Sequence, residues 1–452
     1  MSELPSPLPR PSLFRAGGIT FGAQFSIFLL RLGISVILAR ALGADGRGSF
    51  ALAVLIVLVL IRIGSLGLEI ANVYFTAGDR HPLPSLTANS LLHTLAATGL
   101  LLLLIGLAPG VPFVLRYLNA NGLTPGLLLL AGLSMPFTML IWFFVGILQG
   151  RERPVEFNLP AATVAGFQAI MLAAFLLLLG RGLTTALQIY VAAQVAGAAV
   201  ACFFVFRLAP FSLSPDRQIF RAGLKFGSRA WVANLAQFLN YRLDQFIVAG
   251  FLGPAALGFY AVAVGIVERA WMVPQSVALV LFPRSASLPA EEANALTPKI
   301  GRAMIVFLLL LVTGVGLLAG WLVPAVWGTE FAPSVLPLRL LLPGILALGY
   351  GKILMSDLLG RGRPEIGMLS STVSLVLTLL LDLVLIPRYG IAGAAVASST
   401  AYTVGAIIIA VAFLRVSGLR WYRLFQLEEG EVRRYCEFLT RLMSRNPRTG
   451  AG

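Results

Sequence analysis

Runs of about 20 apolar residues, parted by short polar joints, recur along the whole chain and constrain it more than any other feature. A helix needs about that length to cross a bilayer core. In lipid every backbone N–H and C=O must be paired internally, which leaves helices or closed barrels. The runs are not ten-residue alternating strands, so a barrel is excluded. Composition agrees: 58% of the 452 residues are hydrophobic and 12% are charged. A soluble domain carries about 25% charged residues. The expected fold class is an all-α polytopic membrane protein.

Twelve spanning segments are expected, at 17–40, 50–75, 86–108, 127–148, 157–179, 185–206, 224–250, 256–282, 302–323, 335–358, 366–386 and 392–414. Gly, Pro and charge mark the joints, as in Gly180-Arg181-Gly182. Residues 1–13, with Pro5, Pro7, Pro9 and Pro11, read as a disordered cytoplasmic leader with no removable signal peptide. Residues 416–452 read as a cytoplasmic tail. Within it Val432, Tyr435, Cys436, Leu439, Leu442 and Met443 fall at helical spacing with arginines interleaved, an amphipathic helix fit for a lipid surface or for the protein's own loops.

The net charge is +15. Basic residues flanking helices on the cytoplasmic side explain it better than nucleic-acid binding. With the N-terminus inside, the inner joints hold Arg80, Arg151, Arg153, Arg207, Arg217, Arg221, Lys225, Arg284, Lys299, Arg302, Arg361 and Arg363. The outer side holds Arg40, Arg47, Arg116, Arg181, Arg339 and Arg388. The bias puts both termini in the cytoplasm.

The chain repeats itself. Gly150-Arg151-Glu152-Arg153-Pro154 returns as Gly360-Arg361-Gly362-Arg363-Pro364, an offset of 210. Leu42-Gly43 with Gly48 and Phe50 returns as Leu252-Gly253 with Gly258 and Tyr260, at the same offset. The pattern predicts a duplicated six-helix unit, 14–210 and 211–415. An even number of helices leaves the two lobes parallel across the membrane.

Ionisable residues inside the runs carry the functional signal, because each costs roughly 2.5–3.5 kcal/mol at mid-helix. Arg31 and Arg62 lie in the first and second segments, Arg242 and Arg269 in the seventh and eighth, and Lys352 in the tenth. These are candidate substrate-binding cations, since the guanidinium fork matches phosphate oxygens. The acids Glu69, Asp244, Glu268, Asp357 and Asp382 are candidates for coupling or for ion pairing. Glu69 stands seven residues from Arg62, two turns along one face. The competing reading is that all these groups neutralise one another between helices.

Other chemistry is not indicated. No phosphate-cradling loop, no Ser/His/Asp constellation and no soluble catalytic domain is evident. His81 and His93 suggest no metal cluster and Cys202 with Cys436 no disulfide framework, so no cofactor and no enzyme activity are expected. Gly18 with Gly22, and Gly223 with Gly227, are spaced for close helix approach.

Three stretches carry a family likeness. Ala39-Arg40-Ala41-Leu42-Gly43 followed by Gly48 resembles the first hairpin of bacterial polysaccharide-biosynthesis flippases, of the multidrug/oligosaccharidyl-lipid/polysaccharide exporter superfamily. Asp244-Gln245-Phe246-Ile247-Val248-Ala249-Gly250-Phe251-Leu252-Gly253 resembles their seventh helix, and Pro387-Arg388-Tyr389-Gly390-Ile391-Ala392-Gly393 the turn into their last. The resemblance implies an inner-membrane O-antigen flippase-like transporter whose two six-helix lobes alternate around a central cavity. Its cargo would be a polyprenyl-pyrophosphate-linked oligosaccharide, its surroundings membrane lipids and other polysaccharide-assembly membrane proteins. A drug/cation antiporter of the same superfamily remains open, although Arg31 stands where it would want an acid. A major-facilitator transporter and a membrane glycan ligase or polymerase fit less well: the Gly-Arg joints follow the fourth and tenth segments, and no outer joint is long.

Overall fold

The computed structural model describes residues 13–78, 80–208 and 214–426. The leader and the expected tail helix lie outside the described residues. Inside them the regular structure is helical, without a strand. The helices are α1 Leu13–Ser65, α2 Leu68–Ala77, α3 Leu83–Leu107, α4 Pro112–Ala120, α5 Pro125–Gly132, α6 Met135–Gly150 and α7 Pro154–Leu172. There follow α8 Leu183–Leu208, α9 Arg217–Asn240, α10 Leu243–Ala270, α11 Met272–Ser287, α12 Ala290–Trp327, α13 Val335–Gly360 and α14 Pro364–Ser417.

Nine stretches of the described residues are long and apolar enough to cross a membrane. Three of them run through a glycine with non-helical backbone: Gly43 (φ 67°), Gly253 (φ 81°) and Gly390 (φ 59°). Dividing them there gives twelve apolar segments, in agreement with the sequence. Each of these three joints turns on a single residue, so the loop expected at 41–49 is helix instead.

Several segments are interrupted where an unbroken run was expected. The second breaks at Leu66 (φ 50°) and Gly67 (φ 78°), the seventh at Tyr241-Arg242 and the eighth at Trp271. Hydropathy cannot register such breaks, because the residues around them stay apolar. The connection expected at 109–126 holds α4, whose Leu118 is buried while Phe113 faces outward. Its Tyr117 hydroxyl donates to the Phe246 carbonyl at 2.9 Å, and burial pushes that hydroxyl above its ordinary pKa.

Backbone features recur at the spacing seen in the sequence. Left-handed residues recur at an offset of 210: Gly43 and Gly253, Glu152 and Gly362, Gly180 and Gly390. Arg153 N–H bonds Leu148 O at 3.2 Å and Glu152 N–H bonds Gln149 O at 2.9 Å. Arg363 N–H bonds Leu358 O at 2.9 Å and Gly362 N–H bonds Leu359 O at 3.0 Å. Both are Schellman closures of a helix end. Glycine fills the left-handed site in the second copy; glutamate tolerates it in the first.

Two compact units can be drawn. One comprises 1–266, 317–341 and 374–398; the other 267–316, 342–373 and 399–452. In the first, two helix ends cap each other. Arg40 donates to Val326 O at 2.9 Å and Ala325 O at 2.6 Å, the open C-terminus of α12. Glu330 accepts from Ala44 N–H at 2.9 Å, where the helix restarts after Gly43. Each charge has the sign that its helix end favours.

In the second unit Asp357 is fully buried. It accepts from Thr297 at 2.6 Å and pairs with Arg361, which also reaches Asn294 at 2.8 Å. Asn294 in turn donates to Ser417 O at 3.0 Å. Arg361 of the Gly-Arg-x-Arg-Pro joint is thus turned inward and ties α12, α13 and α14 together.

Gly227 behaves as its spacing suggested: a Cβ there would stand 2.4 Å from Gly67 O. Gly18 and Gly22 do not, since nothing lies within 4 Å of the place a Cβ would take.

Candidate functional site

Within the first unit, the break in the second segment builds a site around Arg62. Ser65 ends one helical piece and Leu68 begins the next. The carbonyls freed there take side-chain donors. Trp231 Nε1–H reaches Arg62 O at 2.6 Å and His93 Nε2 lies 2.8 Å from Gly64 O. Paying the freed acceptors in this way is what makes a break tolerable inside apolar surroundings.

The Arg62 guanidinium lies 4.2 Å from the centroid of the Trp142 ring and 5.8 Å from that of Phe238. Glu69 approaches from across the break, with Oε1 at 3.5 Å from Arg62 Nη1. The pairing is incomplete. Arg62 Nε and Glu69 Oε2 are both buried without a hydrogen-bond partner. A fork-to-fork pair would engage two donors and both oxygens. Arg31 is exposed, and Tyr190 is its electrostatic neighbour.

A second cluster in the same unit gathers two acids. Asp244, 2% exposed, accepts from Tyr260 at 2.6 Å, Ser398 at 3.1 Å and Gln245 N–H at 2.8 Å. Arg242, at the break in the seventh segment, lies in its field. Asp382 is fully buried within electrostatic reach of Asp244, and neither of its carboxyl oxygens has a hydrogen-bond partner. One turn before each acid, Thr378 donates to Asn240 at 3.2 Å. Two carboxyls this buried cannot both carry charge without a cation or a proton.

The second unit holds the other candidates. Lys352 donates to Gln275 at 2.8 Å and sits 5.4 Å from the Trp271 ring. Arg269 and Glu268 are half-buried and already engaged with neighbours. Asp357 belongs to the structural network with Arg361.

The structure thus joins Arg62 with Glu69, and Asp244 with Arg242 and Asp382. Sequence reasoning missed the neutral partners: Trp142, Phe238, Trp231, His93, Tyr260, Thr378 and Ser398. The available signal was weak, a polar or indole group in an apolar run.

Comparison with known proteins agrees with this architecture. The family model described as "Polysaccharide biosynthesis protein" matches residues 13–288. A Shigella flexneri protein named as an O-antigen transporter is 23% identical over 396 residues, covering 84% of this chain and 92% of its own. A Haloferax volcanii protein named as the flippase AglR is 24% identical over 410 residues, covering 88% and 82%. Among solved structures, the lipid II flippase MurJ in an inward closed conformation superposes with a TM-score of 0.74 at 14% identity, over 94% of this chain and 96% of its own. An inward-facing multidrug resistance MATE transporter gives 0.73 at 14%, over 89% and 98%. This multi-pass membrane chain belongs to the polysaccharide biosynthesis protein family.

Proposed function

We propose that the chain is a flippase carrying a polyprenyl-pyrophosphate-linked oligosaccharide from the inner to the outer leaflet for polysaccharide biosynthesis. The observation that carries the reading is Arg62, held by aromatic faces with a guanidinium nitrogen still unpaired in a buried place. A pyrophosphate offers the several oxygens that such a group lacks. Arg31 and Arg242 are further cations for the headgroup in a water-filled chamber, and Arg269 and Lys352 are candidates for the same role. The sugar rides in that chamber while the prenyl tail stays in lipid. Rocking of the lobes exposes the headgroup on the far side. The relatives named as an O-antigen transporter and a flippase support this cargo.

Asp244 and Asp382 supply the energy coupling. Their buried pair takes up a proton or a sodium ion, and the exchange biases the lobes. The cation excess on one set of joints supports a bacterial inner membrane location with both termini cytoplasmic. Other polysaccharide-assembly proteins of the membrane are the natural partners.

The buried acids would also suit a drug/cation antiporter. Arg31 and Arg62 argue against a cationic cargo, since both would repel it. The test replaces Arg62 and Arg269 by Ala in a complemented deletion strain and measures glycan export. Loss of export at normal protein levels is expected; wild-type export would remove the arginines from the mechanism.

A further inference from the structure

Glu69 takes no part in the transport cycle proposed for Arg62, yet it makes an ionic contact to that arginine. Its geometry is unlike that of a structural ion pair. In a continuous helix, residues seven apart would have Cα atoms about 10.5 Å apart along the axis. The break at Leu66-Gly67 lets the two side chains meet, and they meet at 3.5 Å through a single pair of atoms.

Each member is placed without the other. Trp142 and Phe238 flank the Arg62 guanidinium, and Trp231 fixes its carbonyl. Glu69 stands in the first turn of α2, where the amides of Ile70 and Ala71 close on Gly67 O. The Glu69 backbone is pressed to α6, since a Cβ on Gly146 would stand 2.6 Å from Glu69 O. Removing the contact therefore dismantles neither helix. What the contact does is neutralise Arg62 partly, leaving Arg62 Nε and Glu69 Oε2 unmatched.

Resting on the anion-site reading of Arg62, we infer that Glu69 is a resident competitor for that site. Its carboxylate occupies Arg62 between transport events and yields to the oxygens of a phosphorylated headgroup. On release it returns and expels the anion. A carboxylate offering one long contact is readily displaced by a ligand that engages more of the guanidinium fork. The same carboxylate repels any phosphate that lingers beside it.

The test uses the full-length protein purified in detergent, with inorganic pyrophosphate as the probe and calorimetry as the readout. Glu69→Gln and Glu69→Ala should each bind pyrophosphate about tenfold more tightly than wild type. In cells both should export glycan more slowly, because release is impaired. Two neutral replacements guard against one of them failing to fold, and thermal melting certifies both. Unchanged or weaker binding in the folded variants would overturn the competitor role. Arg62→Gln separates the two ideas: if it binds pyrophosphate as wild type does, the anion site itself is wrong, whereas its loss of binding with no gain in the Glu69 variants condemns the competitor alone.

Discussion

Gly48 and Gly258 stand 210 residues apart and press on each other's hairpin. A Cβ on Gly48 would fall 1.8 Å from Pro254 O, and one on Gly258 would fall 2.2 Å from Ala44 O. Ala44 and Pro254 are themselves 210 apart, so the contact is reciprocal. The repeat seen in the sequence is therefore a packing relation as well. It also accounts for the glycines, because a methyl group at either place would meet backbone that cannot rotate away.

Gly48→Ala and Gly258→Ala should each destabilise the protein by at least about 1–3 kcal/mol, the usual range for overpacking. Thermal melting in detergent checks this, with Gly99→Ala as the control, since nothing lies within 4 Å of that place. Equal melting of all three would refute the close contact.

Asp357→Ala should be among the most damaging changes in the second unit. It leaves the half-buried Arg361 without its carboxylate and takes the acceptor from Thr297. Breaking a buried pair from one side costs about 3–5 kcal/mol. Glu365→Ala removes the exposed partner of Arg363 and should cost about 0–1 kcal/mol. The ordering of the two melting temperatures decides the matter.

Asp382→Asn should leave the fold intact, because no hydrogen bond is lost at either oxygen. It should instead abolish the dependence of glycan export on an imposed proton or sodium gradient, read in inverted vesicles. Gradient dependence equal to that of wild type would dismiss the acid pair from coupling.

Tyr260→Phe tests the same cluster from its other side. The Tyr260 hydroxyl is the shortest donor to Asp244 Oδ2. Losing it from a buried carboxyl should cost about 1–3 kcal/mol. Chemical or thermal denaturation reads the change.

The fold was largely legible because lipid imposes a simple rule on length and polarity. Twelve runs could be counted directly, and so could the 210-residue spacing at which the left-handed residues recur. The breaks at Leu66-Gly67, Tyr241-Arg242 and Trp271 could not, since donors such as Trp231 and His93 come from distant segments to satisfy the backbone they free. Buried charge marked Arg62, Glu69, Asp244 and Asp382 as exceptional. Their pairing was hidden: it depends on where a broken helix aims a side chain, and periodicity assumes the helix is whole. Asp357 shows the converse, a conspicuous buried acid used to hold a turn.

The most direct test of the account is flipping in proteoliposomes with a fluorescent polyprenyl-pyrophosphate-linked sugar, comparing wild type with Arg62→Ala at equal protein density. The rate should fall at least tenfold, with the variant still folded. An unchanged rate would contradict it, because the guanidinium between Trp142 and Phe238 would then have no part in carrying the pyrophosphate.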